Sequence, residues 1–299
     1  SKKSILIYFL SNMRALKIVV LSLLFMASCN EVTKEKEEVT ASLEISSPQP
    51  KDSLGDEIVS RFLLPKDYES VKTEKQTFAH YLQTFPLKAA GSKVLLFDGT
   101  EKYRQDVHAA VLDIDVGKRD LQQCADAIMR LRAEYLWQEK RFEEIHFNFN
   151  NGFKGDYERW RNGERIRVNG NQVGWTKTNQ PSESYEAFRK YLTMVFAYAG
   201  TYSLAKEMKT QQLENIEIGN VFIQGGSPGH AIIVVDKAVH RETGEVLILL
   251  AQSYMPAQDI HILKNFERSA ISPWYSIGDF ANRISTPEWD FKVSDLKQF

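Results

Sequence analysis

One thiol in this chain stands where sulfur chemistry could begin. Cys124 falls in the first turn of the helix that the pattern predicts over 120–142. Unpaired N–H groups and the positive end of the helix dipole lie there, and both favour thiolate over thiol. A thiolate nucleophile needs a base. His230 fits that role, because it opens the apolar run HAIIVVDKA directly after the loop Gly225-Gly226-Ser227-Pro228-Gly229, whose glycines let a backbone or a substrate come close. The base in turn needs an acceptor that orients its ring, and Gln252 on the next strand or Asp236 on the same one could supply it. The chemistry of such a set is acyl transfer. The sulfur attacks, the imidazole carries the proton, and N–H groups at the helix start, with Gln122 or Gln123, hold the oxyanion.

The strands must bring these groups together. A straight strand puts His230 and Asp236 on the same face but roughly 20 Å apart at about 3.3 Å per residue, so Gln252 is the better partner. A turn near residues 241 and 242 would pair His230 with Ser253. Gln252 is then one residue off, on the opposite face unless a bulge intervenes.

Other readings compete for the same residues. Cys124 also lies on the apolar stripe Leu121, Ile128, Leu131 and Tyr135, and free cysteine is often a packed, inert thiol. His230, Asp236, His240, Asp259 and His261 carry ligand atoms, but no His-x-x-x-His or Cys-x-x-Cys spacing occurs, so neither metal nor other cofactor is expected. Gly225-Gly226 lacks the lysine and the following helix of a phosphate loop, and there is no Gly-x-Ser-x-Gly elbow. Trp160, Trp175, Trp274 and Trp289 read as core more than as sugar platforms. Arg130, Arg132 and Glu134 read as a solvated face or ion pairs.

The periodicities give the elements. Phe78, Tyr81, Leu82 and Phe85 have helical spacing, stopped by Pro86. Residues 93–98 and 109–116 read as strands. Asp120 with Gln123 forms a capping box for the helix over 120–142. Ile145, Phe147 and Phe149 alternate as a strand, and segments 165–168 and 172–176 flank Asn169-Gly170, a hairpin signal. A second amphipathic helix covers 185–208, with a break near Gly200. Strands over 220–223, 230–238 and 245–254 follow, the last two as an antiparallel hairpin. Mixed helices first and consecutive strands late read as an α+β fold, with helices packed on an antiparallel sheet.

Ahead of this domain the sequence changes character. Met13 opens a signal segment on its own, with Arg14 and Lys17 followed by an apolar stretch from Ile18 to Met26. Residues 1–12 therefore read as lying upstream of the true start. The apolar stretch is too short for a membrane-spanning helix, which needs about 20 residues. Met26-Ala27-Ser28-Cys29 resembles a bacterial lipobox, which implies cleavage after residue 28 and lipid on Cys29. Asn30 then favours the outer membrane. Residues 29–57, rich in Lys, Glu, Ser and Thr, cannot bury enough apolar surface to order themselves and read as a tether. The single globular domain is expected over 58–299. The formal net charge of −1 argues against a nucleic-acid partner. With only two cysteines, a disulfide framework is not supported.

Two resemblances attach to these residues. A helix-start cysteine, then Gly219-Asn220-Val221-Phe222, a glycine loop, Gly229-His230 on a strand and a polar residue on the next strand resemble the NlpC-type, papain-like cysteine hydrolases. That implies a papain-like core with an insertion between the Cys124 helix and the His230 strand. It also implies Cys124 as nucleophile, His230 as base, Gln252 as its orienting residue, and peptide bonds of cell-wall or envelope material as substrate. This chain departs from the usual Asp-Cys-Ser context, having Gln-Cys-Ala. The phrases DLQQCADAIMRLRAEYL, GHAIIVVD and LLAQSYMPAQDIHILKN resemble a Bacteroidota lipoprotein family of unknown function, which implies a localisation but no activity. The expectation is an envelope lipoprotein that acts as a cysteine hydrolase or amidase. The alternative is a non-catalytic envelope lipoprotein for binding or assembly.

Overall fold

The computed structural model describes residues 55–299; Cys29 and the signal and tether segments before residue 55 lie outside them. Four short elements, α1 (Ile58–Arg61), β1 (Tyr68–Ser70), α2 (Phe78–Gln83) and β2 (His108–Val111), precede the long helix α3 (Cys124–Gln138). The hairpin β3 (His146–Asn148) and β4 (Lys154–Asp156), the helix α4 (Tyr157–Arg161) and the hairpin β5 (Glu164–Asn169) and β6 (Gln172–Lys177) follow. Next come α5 (Tyr185–Tyr198), α6 (Thr201–Glu207), β7 (Lys209–Thr210), β8 (Val221–Gln224), β9 (His230–His240) and β10 (Val246–Gln252). The chain closes with β11 (His261–Leu263), β12 (Tyr275–Ser276), β13 (Arg283–Ser285), β14 (Asp290–Lys292) and β15 (Leu296–Gln298).

A nine-stranded sheet organises these elements, in the order β2-β11-β10-β9-β8-β15-β7, with β1 also on β9 and β12 also on β10. Its pairings are antiparallel. Mixed helices packed on a large antiparallel sheet are the architecture expected. Among the described residues no helix is long and apolar enough to cross a membrane.

The sheet is buried on both faces, which explains why β9 and β10 are almost continuously apolar. Ala231, Ile233, Val235, Leu247, Leu249 and Ala251 pack with the helices in one core. Ile232, Val234, Ile248 and Leu250 pack on the other side with Phe280, Ile284, Phe291 and Leu296 from the C-terminal segment.

The sheet register decides where the polar side chains go. Leu249 lies opposite Asp236, but the next residue, Leu250, lies opposite Val234, so Val235 is an extra residue in β9. This bulge inverts the alternation. Asp236 therefore faces the helices, where its carboxylate accepts a hydrogen bond from Gln83 of α2, while His230 shares the opposite face with Ile232 and Val234. The expectation that His230 and Asp236 share a face is corrected by this one residue. The turn also falls later than expected, with His240 N–H bonded to Glu245 O.

Other elements differ from expectation for local reasons. The Asp120 carboxylate is taken by Ala257 N–H and Gln123 Nε2 and does not cap the helix. Asp126 Oδ2 instead accepts from Gln123 N–H, so α3 starts at Cys124. Residues 93–98 form only isolated bridges, because the chain folds back at Asp98, whose carboxylate accepts from Thr100 N–H. In the β5–β6 hairpin Asn169 pairs with Gln172, leaving Gly170 (φ +58°) and Asn171 as the turn, one residue beyond the dipeptide expected. The helix break does occur near Gly200.

Arg130 and Glu134 are a buried pair, 1% and 6% exposed. Arg130 also donates to Gln122 Oε1 at 2.9 Å, tying the segment before Cys124 to the body of α3. Arg130→Ala leaves the buried Glu134 with the Tyr185 hydroxyl but no cation, and a loss of about 3–5 kcal/mol is expected. Equilibrium urea unfolding checks this, and a loss below about 1 kcal/mol would mean that the pair holds nothing in place.

Candidate active site

Cys124 and His230 line one cavity of about 330 Å³, together with Asp126, Tyr254, Trp289 and the turn at Gly226–Gly229. Cys124 is the first residue of α3 and reaches the cavity from the helix side of the sheet. His230 is the first residue of β9 and reaches it from the other side. At the start of β9 the N–H of Ala231 lies near enough to the sulfur to favour its ionised form.

The imidazole is fixed on several sides. Its Nε2 lies 2.8 Å from Gln252 Oε1. Its ring packs 4.7 Å from Tyr254, 5.3 Å from Trp289 and 5.8 Å from Phe291, centroid to centroid. Past the bulge Ala251 lies opposite Ile233, which places Gln252 on the face that His230 occupies. The expectation of an opposite face is thus corrected by the bulge. Gln252 Nε2 donates to Glu288 Oε2 at 2.7 Å and lies 3.4 Å from His261 Nε2. Glu288 in turn pairs with Lys102 at 2.8 Å.

These contacts settle a proton position. A carboxylate only accepts, so the Gln252 group beside Glu288 is the NH₂. The Gln252 group beside His230 is therefore the carbonyl oxygen, which also only accepts. His230 consequently carries its proton on Nε2, and Nδ1 keeps its lone pair. A neutral imidazole with a free Nδ1 is the form a general base requires.

The remaining expected residues are placed differently. Gln123 lines the cavity, with its Nε2 donated to Asp120 at 3.0 Å. Gln122 is 1% exposed and turns its Oε1 to Arg130, away from the cavity lining. Trp289 lines the cavity, while Trp160 and Trp274 are buried in the core.

Electrostatics corrects the expected thiolate. Cys124 is 8% exposed. Burial first, then Asp126, push its thiol up to about 11, against the N–H groups of Ala125, Ala231 and Cys124 itself. Desolvation of the anion outweighs the helix N-terminus. Burial pushes His230 down to about 4, opposed by its bond to Gln252 and reinforced by Lys102. The resting pair is a neutral thiol and a neutral imidazole.

A family model described as domain of unknown function 4846 matches residues 58–298. The chain belongs to that family. No curated protein and no solved structure matches it. Membership in the 4846 family brings no assigned chemistry, so the site must be read from its own geometry.

That geometry includes residues with no local signal in the sequence. Lys102 follows the turn at 98–100 and Glu288 lies between β13 and β14, far apart in the chain. Only the Pro-Glu-Trp context next to a flagged tryptophan could have drawn attention to Glu288.

Two solution properties follow. At pH 7 the native thiol should react with iodoacetamide at least tenfold more slowly than a free cysteine, with the rate climbing past pH 9; a rate that plateaus below pH 7 would show a preformed thiolate. Burial also pushes His261 down to about 3. Both imidazoles are neutral in the fold, whereas the unfolded chain takes up protons below about pH 6.5. The imidazoles' share of the stability is then full above about 6.5 and is lost as the pH falls toward 4, by up to about 1.4 kcal/mol per unit per imidazole, while the carboxyls of Asp236, Glu207 and Asp126, raised by burial, contribute with the opposite sign. Urea unfolding of the native domain and of His230→Gln between pH 7.5 and 4.5 isolates the His230 share as the difference of the two slopes, and equal slopes would contradict it.

Proposed function

We propose that this protein is a cysteine hydrolase of amide bonds, with Cys124 as nucleophile and His230 as general base, held at a bacterial envelope by lipid on Cys29. The observation that carries the reading is the orientation of His230. Gln252 Oε1 accepts a hydrogen bond from Nε2–H, which leaves the lone pair on Nδ1 of a ring that lines the same cavity as Cys124. The order of a helix-start cysteine, a strand-opening histidine and a glutamine on the following strand also follows the NlpC-type, papain-like pattern. That supports peptide bonds of cell-wall or envelope material as the substrate class.

The reaction balances with these groups alone. The Cys124 sulfur bonds to the carbonyl carbon as its proton passes to Nδ1 of His230, and the carbonyl electrons move onto oxygen. N–H groups at the start of α3, with Gln123 on the cavity wall, face the charge that develops there. Collapse of the adduct breaks the C–N bond, and the Nδ1 proton leaves with the amine. Water then gives a proton back to Nδ1 and attacks the thioester, the C–S bond breaks, and a carboxylic acid departs as the thiol is restored. Because thiol and imidazole are both neutral at rest, the first proton moves during attack rather than before it.

The enclosure of the thiol favours a second reading, a non-catalytic envelope protein that uses the same cavity for binding. Trapping separates the two. A peptide bearing a thiol-reactive electrophile should add one equivalent of mass to the native domain at Cys124. Cys124→Ala should abolish hydrolysis of envelope-derived peptides, by about 10³-fold or more. Hydrolysis that survives Cys124→Ala would remove the sulfur from the mechanism. For the anchor, Cys29→Ala should lose both metabolic fatty-acid labelling and the membrane fraction. Retention of both would place the attachment elsewhere.

A further inference from the structure

We infer that Glu288, braced by Lys102, is a positioning residue that holds the Gln252 amide in one orientation and so fixes which nitrogen of His230 carries the proton. The consequence for catalysis rests on the hydrolase reading; the proton position does not.

A glutamine amide has two ends of nearly equal shape. Left alone, Gln252 could present either its oxygen or its NH₂ to His230, and the imidazole would adopt the matching tautomer. Glu288 removes that freedom. A turn of the amide by 180° would set the Gln252 oxygen against the Glu288 carboxylate at 2.7 Å, two acceptors with no proton between them. His261 adds a weaker constraint in the same sense. Its Nδ1 lies 2.9 Å from the carbonyl of Asp259, so Nδ1 is the protonated nitrogen and Nε2 accepts from Gln252 at 3.4 Å.

Lys102 keeps Glu288 in place. Its Nζ lies 2.8 Å from Glu288 Oε1, and the two side chains are 7% and 11% exposed. A pair this enclosed is costly to break on one side alone. The interposed amide also matters. A carboxylate directly on the imidazole would raise its pKa strongly, whereas Gln252 passes on the orientation without the charge.

Two-bond ¹H–¹⁵N correlation spectra of histidine-labelled protein at pH 7.5 test this, with the His230 signals assigned through His230→Gln. The native domain should show His230 as a single Nε2–H tautomer. Glu288→Ala should give a mixture with Nδ1–H, and Glu288→Gln, whose oxygen stays with Lys102 and whose NH₂ then faces Gln252, should turn the amide over and raise the Nδ1–H share further. The paired replacement Lys102→Met with Glu288→Leu removes both charges at similar volume. It keeps the test available if Glu288→Ala does not fold, and it should show the same mixture. A single Nε2–H tautomer in a folded Glu288→Ala or in the paired variant would overturn the assignment. Wherever hydrolysis is measurable, Glu288→Ala should lower kcat by about 10- to 100-fold with little change in KM. These spectra report on Glu288 even in a protein that hydrolyses nothing, so the two readings fail separately.

Discussion

One extra residue in one strand decides what the rest of the molecule can do. Without the bulge at Val235, the regular alternation of β9 and β10 would send Gln252 and His230 to opposite faces of the sheet. With it, both side chains enter the same layer and meet at 2.8 Å. The bulge also sends Asp236 to the helix side, where Gln83 satisfies it. Bulges often re-aim a side chain beside a functional site, and here the re-aimed side chain completes a chain of contacts from Lys102 through Glu288 and Gln252 to His230.

Burial is the second governing effect, and it opposes the first. The two-sided sheet and the aromatic ring of Tyr254, Trp289 and Phe291 around His230 give rigidity, which a positioned base needs. The same enclosure strips water from Cys124 and raises its thiol to about 11. A helix N-terminus alone therefore does not make a reactive cysteine. It must also keep the anion hydrated or paired, and burial beside Asp126 does neither for Cys124.

Much of the fold was legible because long amphipathic or apolar segments state their type plainly. The helix over 185–208 with its break at Gly200 and the antiparallel pair of β9 and β10 follow from period and turn residues. Cys124 and His230, which line one cavity, stood out in the sequence because one opens a helix and the other follows a glycine loop. Three things were hidden. Asp120 looks like a helix cap, but a distant N–H, that of Ala257, occupies it. The bulge leaves no mark in a run such as HAIIVVDKA, where every neighbour is apolar. Lys102 and Glu288 lie in irregular segments, and only the closed sheet brings them to Gln252.

Catalysis by these residues requires that sulfur and imidazole meet. A crystal structure of the domain with a peptide-like electrophile in the cavity gives the distance from Cys124 Sγ to His230 Nδ1 directly. A separation of about 3–4 Å, with the adduct on the sulfur, is the result predicted. A separation beyond about 8 Å, with the sulfur sealed behind Asp126 and Ala125, would contradict it.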